Sequence, residues 1–243
     1  MDNQQLDLFT REQLQVFLTS QLGDGNISTT NSNSTYYNTN CKFEEYIDFK
    51  SKLLGNMFKG KRYVSKNGFA QTPIYTMWSK ASKNLLNIKQ LSISEIINQL
   101  DDLGIALWFY DDGSLHQERL FYNLNTHKFS KEIQEQVFIP FFNKLEIYPK
   151  VMIERKKDGR VFYYLSIGKF HGAMKISQIL SKYPVDCYSY KRWSSETIQK
   201  WSKLQEELKS EGIAITSLNN FQIGKLDKGV ITIQDIVRTY KKL

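Results

Sequence analysis

Leu14, Phe17, Leu18 and Leu22 fall on one helical face, so their spacing predicts a helix over residues 11–23. Thr10 and Gln13 form a capping box at its start, and Gly23-Asp24-Gly25 closes it. Two segments rich in Asn, Ser and Thr, 26–30 and 36–44, read as strands around a polar loop. A helix is expected over 45–55, then a basic strand over 58–64 with 69–78 as its hairpin partner, and a short helical piece over 79–86.

The order of elements then repeats. Helices are predicted over 94–100 and 103–110, the second ended by Asp111-Asp112-Gly113. Strands at 114–116 and 120–125 follow, and then a helix over 130–145 with Val137, Phe138, Phe141, Phe142 and Leu145 on its buried side. Strands at 150–155 and 161–167 flank a Lys-Lys-Asp-Gly turn, and a helix over 169–180 completes the unit. Residues 1–93 and 94–193 therefore read as two halves of an internal pseudo-dimer. Residues 194–243 lie outside the repeat. Ser194 caps a helix carrying Ile198, Trp201, Leu204 and Leu208, a short strand is expected at 230–231, and Thr232 caps a last helix.

Composition narrows the class. At 243 residues with 41% hydrophobic positions, the chain can build one large domain or two small ones around a packed core. Lys and Arg outnumber Asp and Glu by 33 to 25, and the net charge of +8 favours a polyanionic partner such as nucleic acid. The two cysteines, Cys41 and Cys187, match no metal-ligand spacing and read as free thiols. His116, His127 and His171 lack metal or triad spacing and read as structural. No apolar run approaches membrane-spanning length, and the opening MDNQQLDLFT has no apolar signal region. An intracellular, soluble protein is expected.

The chemistry points to two acids. Asp24 and Asp112 each precede a glycine at the end of an apolar helix. The helix dipole disfavours an anion there by roughly 0.3–1 kcal/mol. A divalent cation reverses that penalty and gives the unpaired terminal carbonyls an oxygen-seeking partner. Small residues (Thr19, Ser20 and Gly23 in one helix, Gly104 and Ala106 in the other) would let the helices pack closely enough to bring the acids together. An Asp-Gly pair is also an ordinary turn signal; its recurrence after two apolar helices is what suggests more.

Two segments, Phe17-Leu-Thr-Ser-Gln-Leu-Gly-Asp-Gly25 and Ile105-Ala-Leu-Trp-Phe-Tyr-Asp-Asp-Gly113, resemble the paired motifs of single-chain LAGLIDADG homing endonucleases. Leu124-Asn-Thr126 and Phe129-Ser130 are similar to the same subgroup, and the resemblance covers about residues 12–193. The first motif departs from the consensus at Ser20 and Gln21. The resemblance implies an α+β monomer of two αββαββα halves whose antiparallel sheets form a saddle, with a C-terminal helical extension. It further implies that Asp24 and Asp112 bind Mg²⁺, with Mn²⁺ or Ca²⁺ able to replace it for binding. Gly23 and Asp111 would offer backbone carbonyls, and Lys89 and Lys191 would be the basic residues beside each metal pocket.

On such a saddle, strand alternation sends one row of side chains to DNA and the other to the core. Tyr36, Asn38, Asn40, Lys42 and Glu44 form one row, Arg119, Asn123 and Asn125 another, and Lys150, Glu154 and Lys156 a third. Lys59, Lys61 and Arg62 read as phosphate contacts, and Arg192 belongs to the basic-aromatic cluster Tyr190-Lys-Arg-Trp193. The implied activity is metal-dependent hydrolysis of both strands of a long double-stranded DNA site, in the context of intron or intein mobility or a free-standing gene. Two alternatives stay open on the same fold: an RNA-splicing maturase, and a DNA-binding regulator without catalysis.

Overall fold

The computed structural model describes residues 8–240 apart from 31–33, 65–72, 118–119, 169, 215–217, 219 and 228. The first repeat runs α1 (Arg11–Thr19), β1 (Gly25–Thr29), β2 (Thr35–Cys41), α2 (Glu44–Leu54), β3 (Phe58–Val64), β4 (Ile74–Ser79) and α3 (Asn84–Gln90). After α4 (Ile93–Asn98), the second runs α5 (Asp102–Asp112), β5 (Gly113–His116), β6 (Phe121–Leu124), α6 (Lys131–Ile133), a π turn at Gln134–Phe138, α7 (Ile139–Lys144), β7 (Lys150–Arg155), β8 (Val161–Ile167) and α8 (Phe170–Lys182). Each repeat makes one antiparallel four-stranded sheet, and the strand orders correspond: β1-β2-β4-β3 and β5-β6-β8-β7.

The expected order of elements holds, with shifted boundaries. α1 stops at Thr19, four residues before the expected end. There the Thr19 hydroxyl donates to the Gln15 carbonyl and the Ser20 hydroxyl to that of Phe17, and such back-bonding competes with continuation of the helix. β2 stops at Cys41, so Lys42 lies beyond it and Glu44 opens α2. The helix expected at 79–86 begins at Asn84 instead, because Ser79 still pairs with Phe58 in the sheet. The helix expected over 130–145 contains the π turn, which ends two residues before Pro140, whose missing N–H leaves the regular ladder incomplete. Residues 69–72 of the expected β4 and Arg119 of the expected β6 row lie outside the described residues.

The tail helix α9 (Ser195–Ser210) starts at the expected Ser194 cap and packs on α8, burying Trp201 and Leu208. The strand expected at 230–231 is a turn after Gly229, whose φ is +66°; the N–H groups of Val230 and Ile231 both donate to the Lys225 carbonyl. The pattern also gave no sign of α10 (Asn220–Asp227). α11 (Ile233–Tyr240) follows the Thr232 cap and lies on α9 with Ile236 and Val237 buried.

α1 and α5 pack against each other at the centre of the molecule. α5 is buried along Leu103–Tyr110 rather than on one stripe, as befits a helix enclosed on all sides. Glycine allows this closeness: a Cβ at Gly104 would run into the Gln15 side chain, and one at Gly23 would lie 2.8 Å from Cβ of Asp111. Gln15 also joins the two helices by hydrogen bonds, donating to Gln99 O at 3.0 Å and accepting from Asp101 N at 3.2 Å.

A buried ion pair crosses from one repeat to the other. Lys50, on the apolar side of α2 with Tyr46, Ile47 and Leu54, places its Nζ 2.8 and 3.0 Å from the two Asp111 oxygens, while the Tyr46 hydroxyl donates to Asp111 Oδ1 at 2.7 Å. The side chains are 2% and 1% exposed. Burial is the largest single influence and lowers the Lys50 pKa, but the charge and hydrogen bond of Asp111, with Tyr37 and Asp24, together outweigh it and the net shift is upward, so the amine is charged. Removing one partner would strand the other charge in the core. We expect Lys50→Met to lower unfolding stability by about 3–5 kcal/mol, and Lys50→Met with Asp111→Leu to recover most of that loss. Urea denaturation of the three proteins measures it; equal losses in the single and double variants would contradict the pairing.

Candidate functional site: two acids at the meeting of the central helices

α5 runs straight into β5. Gly113 N donates to Phe109 O, and a Cβ at Gly113 would sit 2.6 Å from that carbonyl, so the junction requires glycine. Asp112 is thus the last helical residue, and its own carbonyl accepts from Asn125 N at 3.0 Å. The corresponding acid of the first repeat is held differently. Beyond α1 the chain turns, with Leu22 N and Gly23 N both donating to Thr19 O at 2.9 and 2.8 Å. Asp24 comes next, its carbonyl accepting from the Thr39 hydroxyl at 3.2 Å, and Gly25 begins β1 against Ser20 and Tyr37, where a Cβ would not fit.

These turns bring Asp24, Asp111 and Asp112 within electrostatic reach of one another. Burial pushes the Asp112 pKa up to about 7, reinforced by the charges of Asp111 and then Asp24. The Asp24 pKa is raised by burial and by Asp111. Three lysines answer them. Lys50 is locked onto Asp111 from below. Lys191, in the 3₁₀ turn Asp186–Lys191, is buried and donates to Tyr110 O at 2.6 Å and Phe109 O at 3.3 Å. It therefore satisfies the last carbonyls of α5 and complements the negative end of that helix. Burial pushes its pKa down to about 8 against the pull of Asp111, Asp112 and Asp24. Lys128, in the loop between β6 and α6, donates to Gly23 O at 3.3 Å; burial lowers its pKa while the same three acids oppose the shift.

The donor set is all oxygen and anionic, which suits a hard divalent cation, and an ammonium already rests on the Gly23 carbonyl. Among the described residues, no three His, Cys, Asp or Glu side chains converge on one point. The Asp111 carboxylate is turned away onto Lys50 and Tyr46.

Of the residues singled out in the sequence, Asp24, Asp112, Gly23, Asp111 and Lys191 meet here. Lys89 does not. It is exposed on α3 with its amine 3.4 Å from the Thr29 hydroxyl, at the far end of β1 from Asp24, some 13 Å along the strand. Two pocket residues escaped the sequence reading. Lys50 carried a faint signal, since it occupies an apolar-face position of α2. Lys128 carried none.

The candidate binding rows divide similarly. On the first sheet, Tyr36, Asn38, Asn40, Lys59 and Arg62 line a trough of about 880 Å³ together with Ser28, Thr76 and Trp78. Lys61 does not join them. A bulge between Phe58 and Gly60 breaks the alternation, and Lys61, opposite buried Met77, turns to the helix side and pairs with Glu44 at 2.7 Å and Asp48 at 2.5 Å. Lys42, past the strand, lies over the Phe43 ring at 4.8 Å.

On the second sheet, Asn123 stands in β6, and its buried Oδ1 has no hydrogen-bond partner among the described residues. Asn125 is one residue past the strand. Lys150 is exposed on β7. Lys156, in the turn, pairs with Glu154 at 2.5 Å. The Arg192 side chain is only 17% exposed and lies 3.9 Å from Asp186, which removes it from a binding face.

Comparison with known proteins places this arrangement. A profile described as the LAGLIDADG DNA endonuclease family matches residues 14–173. The chain is 28% identical over 94 residues, 39% of its length, to "Probable intron-encoded DNA endonuclease 3" of Mycosarcoma maydis, of which it spans 69%. In fold it is similar to the homing endonuclease I-WcaI bound to its DNA recognition sequence, with a TM-score of 0.62 and 15% identity, covering 76% of this chain and 87% of the other. An I-DmoI variant solved with nicked target DNA and manganese aligns with a TM-score of 0.50 and 14% identity over 70% of this chain and 97% of that one. The matched span takes in both acidic turns and nearly all of both sheets, and the chain belongs to the LAGLIDADG DNA endonuclease family.

Proposed function

We propose that the protein is a site-specific endonuclease that hydrolyses one phosphodiester on each strand of a long double-stranded DNA site. The observation carrying this reading is the convergence of Asp24 and Asp112, one from each repeat, at the buried end of the α1–α5 contact. A protein that only bound DNA would have no use for two carboxylates facing a polyanion. One chain supplies both acids, so a monomer suffices.

Asp24 and Asp112 would hold Mg²⁺, with Mn²⁺ able to replace it, and the Gly23 carbonyl, which here accepts from Lys128, would be a further ligand once that ammonium moves aside. Bound there, a divalent cation lowers the pKa of an attacking water and offsets the charge that builds on the phosphate. Lys191 acts through the protein rather than on the substrate. Held by two helix carbonyls, it fixes the last turn of α5 and so positions Asp112. Lys128 brings positive charge to the Gly23 side of the pocket, where a phosphate would lie. The first sheet's trough, with Asn38, Asn40 and Arg62 on its floor, would read bases in a major groove. Lys59 and Lys150 would contact the backbone.

We expect Asp24→Asn and Asp112→Asn each to abolish double-strand cutting, a loss on the order of a thousandfold or more, while affinity for the uncut site stays close to the parent's. Plasmid cleavage read beside a mobility-shift titration checks this; a parallel loss of affinity would assign the acids a structural role.

The same acid sets a pH dependence. The Asp112 pKa is raised from 3.8 to about 7 in the folded protein, so the folded state holds a proton that the unfolded state has released. Without divalent cation, stability should fall as pH rises through that window. Asp112→Asn escapes the penalty. Its melting temperature should match the parent's below about pH 4 and exceed it at about pH 8. Added Mg²⁺ should raise the parent's at the higher pH and leave the variant's nearly unchanged; a Tm difference independent of pH would contradict the assignment.

A further inference from the structure

Gln134 is fully buried on a helical stretch whose other buried side chains, Phe138, Phe141 and Phe142, are aromatic. A primary amide is stable in such surroundings only when it is hydrogen-bonded. Its Nε2 donates to three backbone carbonyls: Thr126 O at 3.2 Å, Phe129 O at 3.3 Å and Tyr163 O at 3.0 Å. Three acceptors around one atom also fix which way the amide points, because Oε1 in that place would face three oxygens.

The three carbonyls belong to one construction. Thr126 and Phe129 are the ends of a turn closed by Phe129 N, which donates to Thr126 O at 2.9 Å, and His127 and Lys128 are its central residues. Tyr163 lies in β8, two residues beyond Leu165, the last β8 residue that β6 pairs with. Gln134 therefore clamps both ends of the Lys128 turn to the sheet at the point where the strand ladder gives out. The flanks of the turn are held as well. Asn125 N donates to Asp112 O just before it, and just after it Ser130 caps α6, accepting from Ile133 N at 3.3 Å. The Phe129 ring meets Phe138 edge to face at 5.0 Å, and the Lys128 amine lies 5.3 Å over that same Phe129 ring before reaching Gly23 O.

A lysine side chain is long and has many rotamers, so where its ammonium rests at the pocket depends on how firmly its backbone is held. We propose that Gln134 is a positioning residue for DNA cleavage: by tying the 126–129 turn to β8, it aims Lys128 at the scissile phosphate. Being buried, Gln134 does not touch the substrate. The inference rests on the nuclease reading and on Lys128 serving the phosphate.

A double-mutant cycle tests it, using a duplex that the parent cleaves, selected from a randomised library. Single-turnover cleavage with Mg²⁺ and affinity with Ca²⁺ are measured for the parent, Lys128→Met, Gln134→Met and the double variant, with thermal melting to show that each is folded. Lys128→Met should slow cleavage on the order of a hundredfold. Gln134→Met, which keeps the length but donates nothing, should slow it about tenfold or more in the parent and less than about twofold in the Lys128→Met background, with affinity close to the parent's throughout. If Gln134→Met does not fold, Gln134→Asn, with its amide on a shorter stem, replaces it in the cycle under the same criteria. Equal losses in the two backgrounds, a matching loss of affinity, full activity in Gln134→Met, or failure of both Gln134 variants to fold would overturn the inference and leave the nuclease reading intact. Full activity in Lys128→Met would overturn it together with the role given to Lys128. A library that yields no cleaved duplex would overturn the nuclease reading too.

Discussion

The structure turns on the burial of acidic groups within electrostatic reach of one another, just beyond the contact of the two central helices. Burial raises the Asp24 and Asp112 pKa values, and the nearby charge of Asp111 raises both further. A core does not assemble such a cluster without compensation, and the compensation is visible. Lys50 neutralises Asp111 from beneath, Lys191 anchors the end of α5, and Lys128 reaches across from the second repeat to the Gly23 carbonyl of the first. Much of the architecture around α1 and α5 serves that arrangement. Gly104 and Gly23 allow close approach, Gly113 carries the helix directly into a strand, and Gly25 does the same work after a turn.

The two repeats solve the same problem unequally. In the second, the acid ends a continuous helix; in the first, the helix gives way at Thr19 and a turn carries the acid onward. Asp111 occupies the place taken by Gly23 in the first repeat, and only one of them brings a side chain needing a buried partner. A single chain with two such halves is free to recognise two different half-sites, which a symmetric dimer is not.

Much of this was legible in the sequence, and the failures have specific causes. The repeated order of elements could be read because helix and strand periods differ and because Gly-terminated acidic turns recur. Asp112 was legible because an Asp at a helix end is electrostatically awkward, whereas Asp24 lies past the end of α1 and was marked only by its Asp-Gly pair. Lys61 misled because a run of basic residues does not show which face each takes; the bulge before Gly60 and pairing opposite Met77 put it on the helix side. Lys89 misled because spacing from a motif does not fix direction in space; α3 leaves it beside Thr29. Lys128 was invisible because its role exists only once a loop of one repeat meets a carbonyl of the other, a long-range contact with no local signature. The turn at Val230 defeated a propensity argument, since β-branched residues there have no strand to pair with.

The central claim is that Asp24 and Asp112 share one cation-binding pocket, and affinity cleavage of the polypeptide tests it most directly. Fe²⁺ bound in place of Mg²⁺ generates hydroxyl radicals with ascorbate and peroxide, and these cut the nearest backbone. The account predicts two cuts, one beside Asp24 and one beside Asp112, both suppressed together by excess Mg²⁺. A cut at only one of the two positions, or cutting that excess Mg²⁺ leaves unchanged, would contradict it.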